Sequence, residues 1–262
     1  MESIRVQSWN DLQDRLFEGA WMPDLNLFRS QFAFRGLSSA DYRLETSLSR
    51  LCKGHPDLER HLLRNFRKYA HRDVVERDSL WYWLSVAQHH GLPTRLMDWT
   101  FSPYVAMHFA TASTDKVHMD GVIWAVNYKK VHAHLPEMLG ELLNAEGSDV
   151  FTVDMLSERI EDLGDFDHLA KKAFAVFFEP PSIDDRIVNQ FALFSLLSDP
   201  FLLFDDWLCE HPDVYRKLLI PSELKWEIRD KLDQANITER VLFPGLDGLS
   251  SWMKRQYTPR PK

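Results

Sequence analysis

The chain has 262 residues, 45% apolar and 27% charged, with 31 Lys and Arg against 39 Asp and Glu, for a formal charge of −8. That length supports a sizeable core, as one large domain or two small ones, and the apolar share excludes a disordered chain. The acidic balance excludes broad, sequence-independent adhesion to nucleic acid or anionic membrane, but leaves room for a local basic pocket. Cys52 and Cys209 are the two cysteines and lie far apart, which argues against a disulfide scaffold or a cysteine-rich zinc site. The first residues lack the apolar core of a signal peptide and no apolar run reaches spanning length, so a cytoplasmic location is expected.

Ser8 and Asp11 form a capping-box pattern for a helix reaching residues 16–18, which Trp21, Pro23 and Asp24 break. Residues 31–36 read as a short strand ending in glycine, with Phe32 and Phe34 on one face and Ala33 and Arg35 on the other. Arg35 has two readings there: an ion pair at a sheet edge, or a rigidly held guanidinium fork for phosphate or carboxylate. Residues 42–50 are an extended piece entering a short helix, with Ser47 as its cap or as a ligand contact. Pro56 opens a long helix to about His71, with Leu58, Leu62, Phe66 and Tyr69 at helical spacing. Arg60, Arg64, Arg67, Lys68 and Arg72 decorate it as a solvated face.

A second helix spans about 79–90 and carries Trp81 and Trp83. Gly91 and Pro93 end it, because glycine suits the left-handed position after a helix and proline cannot continue one. Ser102 and Pro103 are an N-cap and first helical residue for the next helix, which shows Val105, Ala106, Phe109 and Ala110 on one face. Between the two helices lie Thr94, Arg95, Asp98, Trp99 and Thr100, either a functional loop or short strand, or a turn in which Arg95 and Asp98 pair.

Residues 122–128 are apolar on both faces, as a central strand requires. Residues 131–169 read as helix and loop, a possible insertion; His132 and His134 lack the partners of a metal site, and the acids between 158 and 167 fit an exposed helix and turn. Strands follow at 173–178, 191–197 and 216–220. The turn at 184–190 places Arg186 and Gln190 at i, i+4 on one side. Ser222 caps a helix through Ala235, Asn236 is its left-handed stop, and residues 242–250 lead into a last helix before a fraying tail at 258–262. With no internal repeat or linker, residues 1–262 read as a single α+β domain.

These pieces form an ordered set: Phe34-Arg35-Gly36; Tyr42, Leu44, Ser47, Leu48 and Arg50; Gln88 to Thr100 with Ala106, Phe109 and Ala110; Pro181, Arg186, Ile187, Gln190 and Phe194; Ile220, Pro221 and Lys225; and Leu242 to Leu249. The set resembles the FRG domain family, named for its Phe-Arg-Gly tripeptide, over about residues 28–254. Thr46 stands where that family usually has proline, and Ala192 where glycine is usual. More distantly, the motif order is similar to the ADP-ribosyltransferase fold. In that fold an aromatic-Arg-Gly strand comes first, then a Ser-Thr-Ser strand leading into a helix, then a late strand bearing an acid. Here Arg35 matches the arginine, Asp98-Trp99-Thr100 occupies the Ser-Thr-Ser place, and Gln190 matches the late acid.

The resemblance implies a split antiparallel sheet surrounded by helices, and an NAD-dependent ADP-ribosyltransferase-like protein of a bacterial toxin or antiphage type. Alternatively, it implies a sensor that binds NAD or a related nucleotide without turnover. Cleaving the nicotinamide–ribose bond builds an oxocarbenium-like centre, so the protein must hold the dinucleotide and stabilise developing charge. On this resemblance Arg35, Thr100 and Gln190 are the catalytic candidates, and Arg35, Tyr42, Ser47, Arg95, Asp98, Trp99 and Arg186 the ligand contacts. Arg35 would grip the pyrophosphate or ribose, Trp99 or Tyr42 would stack on the nicotinamide, and Arg95 and Arg186 would add positive potential. Gln190 can bond a ribose hydroxyl, but an amide is no general base, so a base would come from Asp98, Glu179 or His89. No metal is implied; a macromolecular acceptor is a possible partner.

Overall fold

A computed structural model describes residues 3–52, 55, 57–70 and 78–259. Pro56 as a helix start, the extension of that helix to His71, Arg72 and the tail at 260–262 lie outside the described residues.

The chain opens with β1 (Ile4–Arg5) and α1 (Trp9–Phe17), whose Ser8 cap accepts from the Asp11 amide. The Asp11 carboxylate accepts from Gln7 N at 2.9 Å, so the capping box reaches one residue beyond the cap. A small hairpin, β2 (Trp21–Met22) with β3 (Leu27–Phe28), precedes β4 (Phe32–Leu37). Then come α2 (Ser47–Cys52), α3 (Asp57–Ala70), α4 (Leu80–His89), β5 (Met97–Thr100), α5 (Pro103–Thr111) and β6 (Gly121–Asn127). The middle of the chain forms α6 (Tyr128–His132), α7 (Glu137–Glu146), β7 (Phe151–Thr152), α8 (Val153–Arg159) and α9 (Leu163–Asp167). The remainder comprises β8 (Ala175–Glu179), α10 (Asp185–Asn189), β9 (Ala192–Leu197), α11 (Phe204–Cys209), β10 (Tyr215–Ile220), α12 (Lys225–Gln234), α13 (Glu239–Leu242) and α14 (Leu246–Tyr257).

The described residues build an eight-stranded sheet in the order β1-β10-β6-β4-β5-β9-β8-β7. It is mixed, not wholly antiparallel: both edge strands, β1 against β10 and β7 against β8, pair parallel. Every residue of β6 is buried, because the strand lies inside the sheet and apolar layers cover both faces. One layer joins Phe34, Ile123, Ala125 and Leu218 to α5 and α12; the opposite layer joins Ala33, Trp124, Val126, Trp99 and Phe177 to α11. A third cluster, around Trp81, Trp83, Phe166, Phe178 and Phe194, fastens α4 to the β8–β9 end.

Several local expectations change. Tyr69 is 74% exposed, and the inward face of α3 carries Glu59 and Leu63 instead, since Arg95 draws the Glu59 carboxylate inside. The helix after β10 starts at Lys225, behind a 3-10 turn at Ser222–Leu224, so Ser222 makes no side-chain cap. Residues 131–169 are largely helical, yet β7 extends the sheet and α8 packs its apolar face against α4. Gly91 (φ 79°) and Asn236 (φ 60°) adopt the expected left-handed turns.

Candidate functional site

β4 and β5 meet through one residue pair, Phe34 opposite Thr100, whereas β5 and β9 pair over four residues. Past that bridge the two strands part, and a cleft of about 240 Å³ opens between them. It is lined by Arg35, His89, Asp98, Thr100, Arg186 and Gln190, with apolar walls from Phe34, Phe109, Ile187 and Phe194. Residues from Phe34 to Phe194, 160 positions apart, thus come together where β4 and β5 are joined by a single pair.

Arg35 sits on the strand edge at the gap. Its Nη1 donates to the Asp98 carbonyl, and its buried Nε has no partner among the described residues. Burial pushes the guanidinium pKa down from its ordinary value, with Arg50 acting the same way and Asp98 opposing them. A half-satisfied cation in a cleft is a ready acceptor-seeking group, because buried donors almost always find partners.

Asp98 is oriented by a relay of side chains. Gln88 Nε2 donates to both carboxylate oxygens at 3.0 Å, and Gln88 Oε1 accepts from Thr94 Oγ1 at 2.5 Å. Thr94 is in turn clamped by Ser47, whose hydroxyl accepts from Thr94 N at 3.2 Å and donates to Thr94 O. Ser47 therefore neither caps α2 nor reaches the cleft; Thr46 Oγ1 takes the Ser49 amide instead, at 3.1 Å. Threonine supplies that hydroxyl where the expected proline has none.

On the facing wall Thr100 Oγ1 donates to the Gln190 carbonyl at 2.7 Å and accepts from Ser102 N at 3.0 Å. This ties the end of β5 to the end of α10. Gln190 Nε2 donates to Leu242 O at 2.9 Å, and Arg186 lies 5.1 Å from the Phe243 ring, so the Leu242–Phe243 turn forms the rim. Phe191 follows at φ 49°, a left-handed conformation that costs a bulky residue on the order of 1–2 kcal/mol. The backbone freedom that a glycine at 192 would offer is taken one residue earlier, by Phe191 itself.

His89, in the last turn of α4, bonds Asp184 through Nε2 at 2.7 Å. Asp184 also caps α10, its Oδ1 accepting from Ile187 N at 3.1 Å. Burial lowers the His89 pKa; Asp184 opposes that shift, while His90 and Arg186 add to it. Composition and periodicity gave no signal for the His89–Asp184 pair, which forms across 95 positions of sequence.

Other candidates lie elsewhere. Arg95 does not pair with Asp98: it is 4% exposed, bonds Glu59 through Nε and Nη2, and meets Asp167 through Nη1. Asp167, from the acid-rich run, is thereby a structural partner and not part of a free surface. The Trp99 backbone borders the cleft, but its indole is buried against Phe177 and Phe204 and donates to Ser195 Oγ at 2.7 Å, so it cannot stack on a ligand. Tyr42 stands outside the cleft beside the Lys116 ammonium, and Glu179 is exposed at the end of β8. His132 is held by Asp149 O and Phe177 N, both at 2.9 Å. Among the described residues no group of His, Cys, Asp and Glu could hold a metal ion, and no helix is long and apolar enough to cross a membrane.

A mixed α+β fold with a polar cleft where its sheet parts, floored by the Phe34-Arg35-Gly36 strand, defines the class of protein. Residues 30–118 match the family model of the FRG domain. That segment runs from before β4 past α5 and includes Arg35, His89, Asp98, Thr100 and Phe109 of the cleft; Arg186 and Gln190 come from beyond it. No curated protein and no solved structure matches the chain.

Proposed function

We propose that this cleft binds the nicotinamide–ribose half of NAD and that the protein is an NAD-dependent ADP-ribosyltransferase-like enzyme. A toxin or antiphage setting follows from the resemblance of its motifs. The observation that supports this reading is the meeting of Arg35, Thr100 and Gln190 in one cleft, with the Arg35 Nε–H still lacking an acceptor. The Arg35 guanidinium on the cleft lining supplies positive charge for a phosphate or ribose oxygen, and Arg186 adds a second. At about 240 Å³ the cleft lies below the roughly 300–1,000 Å³ of ordinary small-molecule pockets, which suits half a dinucleotide with the remainder across the rim. Phe34, Phe109 and Phe194 provide apolar surface for the base in place of Trp99.

A second reading, NAD binding without turnover, is favoured by Gln190, which stands where an acid would and whose amide is engaged by Leu242 O. Calorimetric titration with NAD, together with measurement of released nicotinamide, separates the two readings. The proposal expects binding that Arg35→Met weakens at least about tenfold, the effect of losing one charge-assisted contact. Wild-type protein that does not bind NAD sinks both readings.

A further inference from the structure

We infer that His89, oriented by Asp184, is the base that takes the proton from the nucleophile attacking the ribose, and this rests on the NAD reading above. The other candidates serve less well. Asp98 accepts from the Gln88 amide through both oxygens, which spreads and stabilises its charge and makes it a weaker base than a neutral imidazole; Gln190 carries no basic atom, and Glu179 does not line the cleft. His89 lines it from the end of α4, bonded to Asp184 at the start of α10.

The Asp184 carboxylate divides its two oxygens between two tasks. Oδ1 caps α10, the turn that carries Arg186 and Gln190, and Oδ2 holds His89 Nε2. With its Nε2–H donated to the carboxylate, a neutral imidazole keeps its lone pair on Nδ1. The charged groups acting on the ring are Asp184, which favours protonation, and His90 and Arg186, which oppose it; burial opposes it most. The imidazole is therefore neutral at neutral pH, as a base must be.

The step balances without any co-reactant. The acceptor oxygen, from water or a hydroxyl, bonds to ribose C1′ as the C1′–N bond to nicotinamide breaks. The bonding pair leaves with nicotinamide, which becomes neutral. The acceptor proton passes to His89 Nδ1, the imidazolium is stabilised by Asp184, and the proton then leaves to solvent. The products are the ADP-ribosylated acceptor or free ADP-ribose, nicotinamide and one proton.

The test measures NAD binding and nicotinamide release from pH 5 to 9 in wild type, His89→Gln and Asp184→Asn. Asparagine still caps α10, so the second variant removes the charge beside His89 with the helix retained. The expected result for His89→Gln is NAD affinity close to wild type with kcat reduced about 10²–10⁴-fold, the usual worth of a general base. For Asp184→Asn the acid limb of kcat/KM moves to lower pH, because the group that favoured the imidazolium is gone; a merely structural role would not move it. His89→Gln with wild-type kcat, or an unmoved acid limb in Asp184→Asn, overturns the inference and leaves the NAD reading standing. Wild-type NAD binding with no nicotinamide release also overturns it, in favour of binding without turnover. Absence of NAD binding by wild type removes both.

Discussion

Gly36 lies directly beneath the backbone of Ala106: a Cβ at Gly36 would fall 1.8 Å from the Ala106 carbonyl oxygen and 2.8 Å from the Ala110 amide nitrogen. The glycine of the Phe-Arg-Gly tripeptide is therefore a contact surface for α5. Ala106 and Ala110 are the small residues that complete the approach, and the same helix carries Phe109 over the cleft. Gly36→Ala must displace backbone, not a flexible side chain, so its cost should exceed the usual 1–3 kcal/mol of overpacking, at about 3 kcal/mol or more. Urea unfolding midpoints measure this; a change below 1 kcal/mol would mean that the helix seats elsewhere.

The buried Arg95 is held by two carboxylates, Glu59 and Asp167. Removing one partner of such a cluster strands the others, at about 3–5 kcal/mol, whereas exchanging partners together for apolar residues can be close to neutral. Arg95→Met is accordingly expected to destabilise strongly, and Arg95→Met with Glu59→Leu and Asp167→Leu to recover most of the loss. Comparison of the single and triple variants by chemical denaturation checks this. A ligand-binding role for Arg95 would instead reduce NAD affinity in a variant of unchanged stability.

Arg35 is the opposite case. Its Nε is unpartnered and its charge is opposed by burial, so it adds little to stability. Arg35→Met should unfold within about 1 kcal/mol of wild type while losing nucleotide affinity, the pattern of a group kept for its ligand. A large stability loss with unchanged affinity would return Arg35 to the role of a sheet-edge ion pair.

Acid should destabilise the protein in two stages. Burial holds His132 at about 4, with Asp149 opposing, and burial and then Arg229 hold His108 at about 3, both below the ordinary 6.5. The unfolded chain takes up these protons near pH 6.5 while the folded one does not. Stability therefore falls as pH drops from about 6.5 towards 4, by about 1.4 kcal/mol per pH unit for each histidine. Burial alone would raise Glu239, but the Arg255 hydrogen bond and the Arg229 charge overcome it and hold the group at about 2, below its ordinary 4.5. Its contribution is present above pH 4.5 and is lost between about 4.5 and 2. Denaturation series from about pH 8 to 2 test both stages: His132→Gln should roughly halve the slope between about 6.5 and 4.

Much of the fold was legible because local chemistry specifies local structure. Ser8 and Ser102 cap the helices they precede, Gly91 and Asn236 turn left-handed after helices, and the apolar run read at 122–128 supplies β6 inside the sheet. Arg35, Thr100, Arg186 and Gln190 were singled out for another reason, a resemblance of motif order rather than periodicity, and the structure places all four on the lining of one cleft.

Long-range pairing was not legible. Arg95 and Asp98 are three residues apart and of opposite charge, yet Asp98 is exposed on β5 while Arg95, in the bend before that strand, is drawn inward by Glu59 and Asp167. Trp99 is a product of alternation, since the face opposite Asp98 and Thr100 is the core. By itself the sequence determined where the main helices and strands lie, since caps, glycines and apolar spacing act within a few residues. Only the tertiary structure decided that β4 and β5 touch at a single pair, and that His89 meets Asp184 at the gap. Both depend on how the layers above and below the sheet seat against one another, a balance of packing summed over the whole chain.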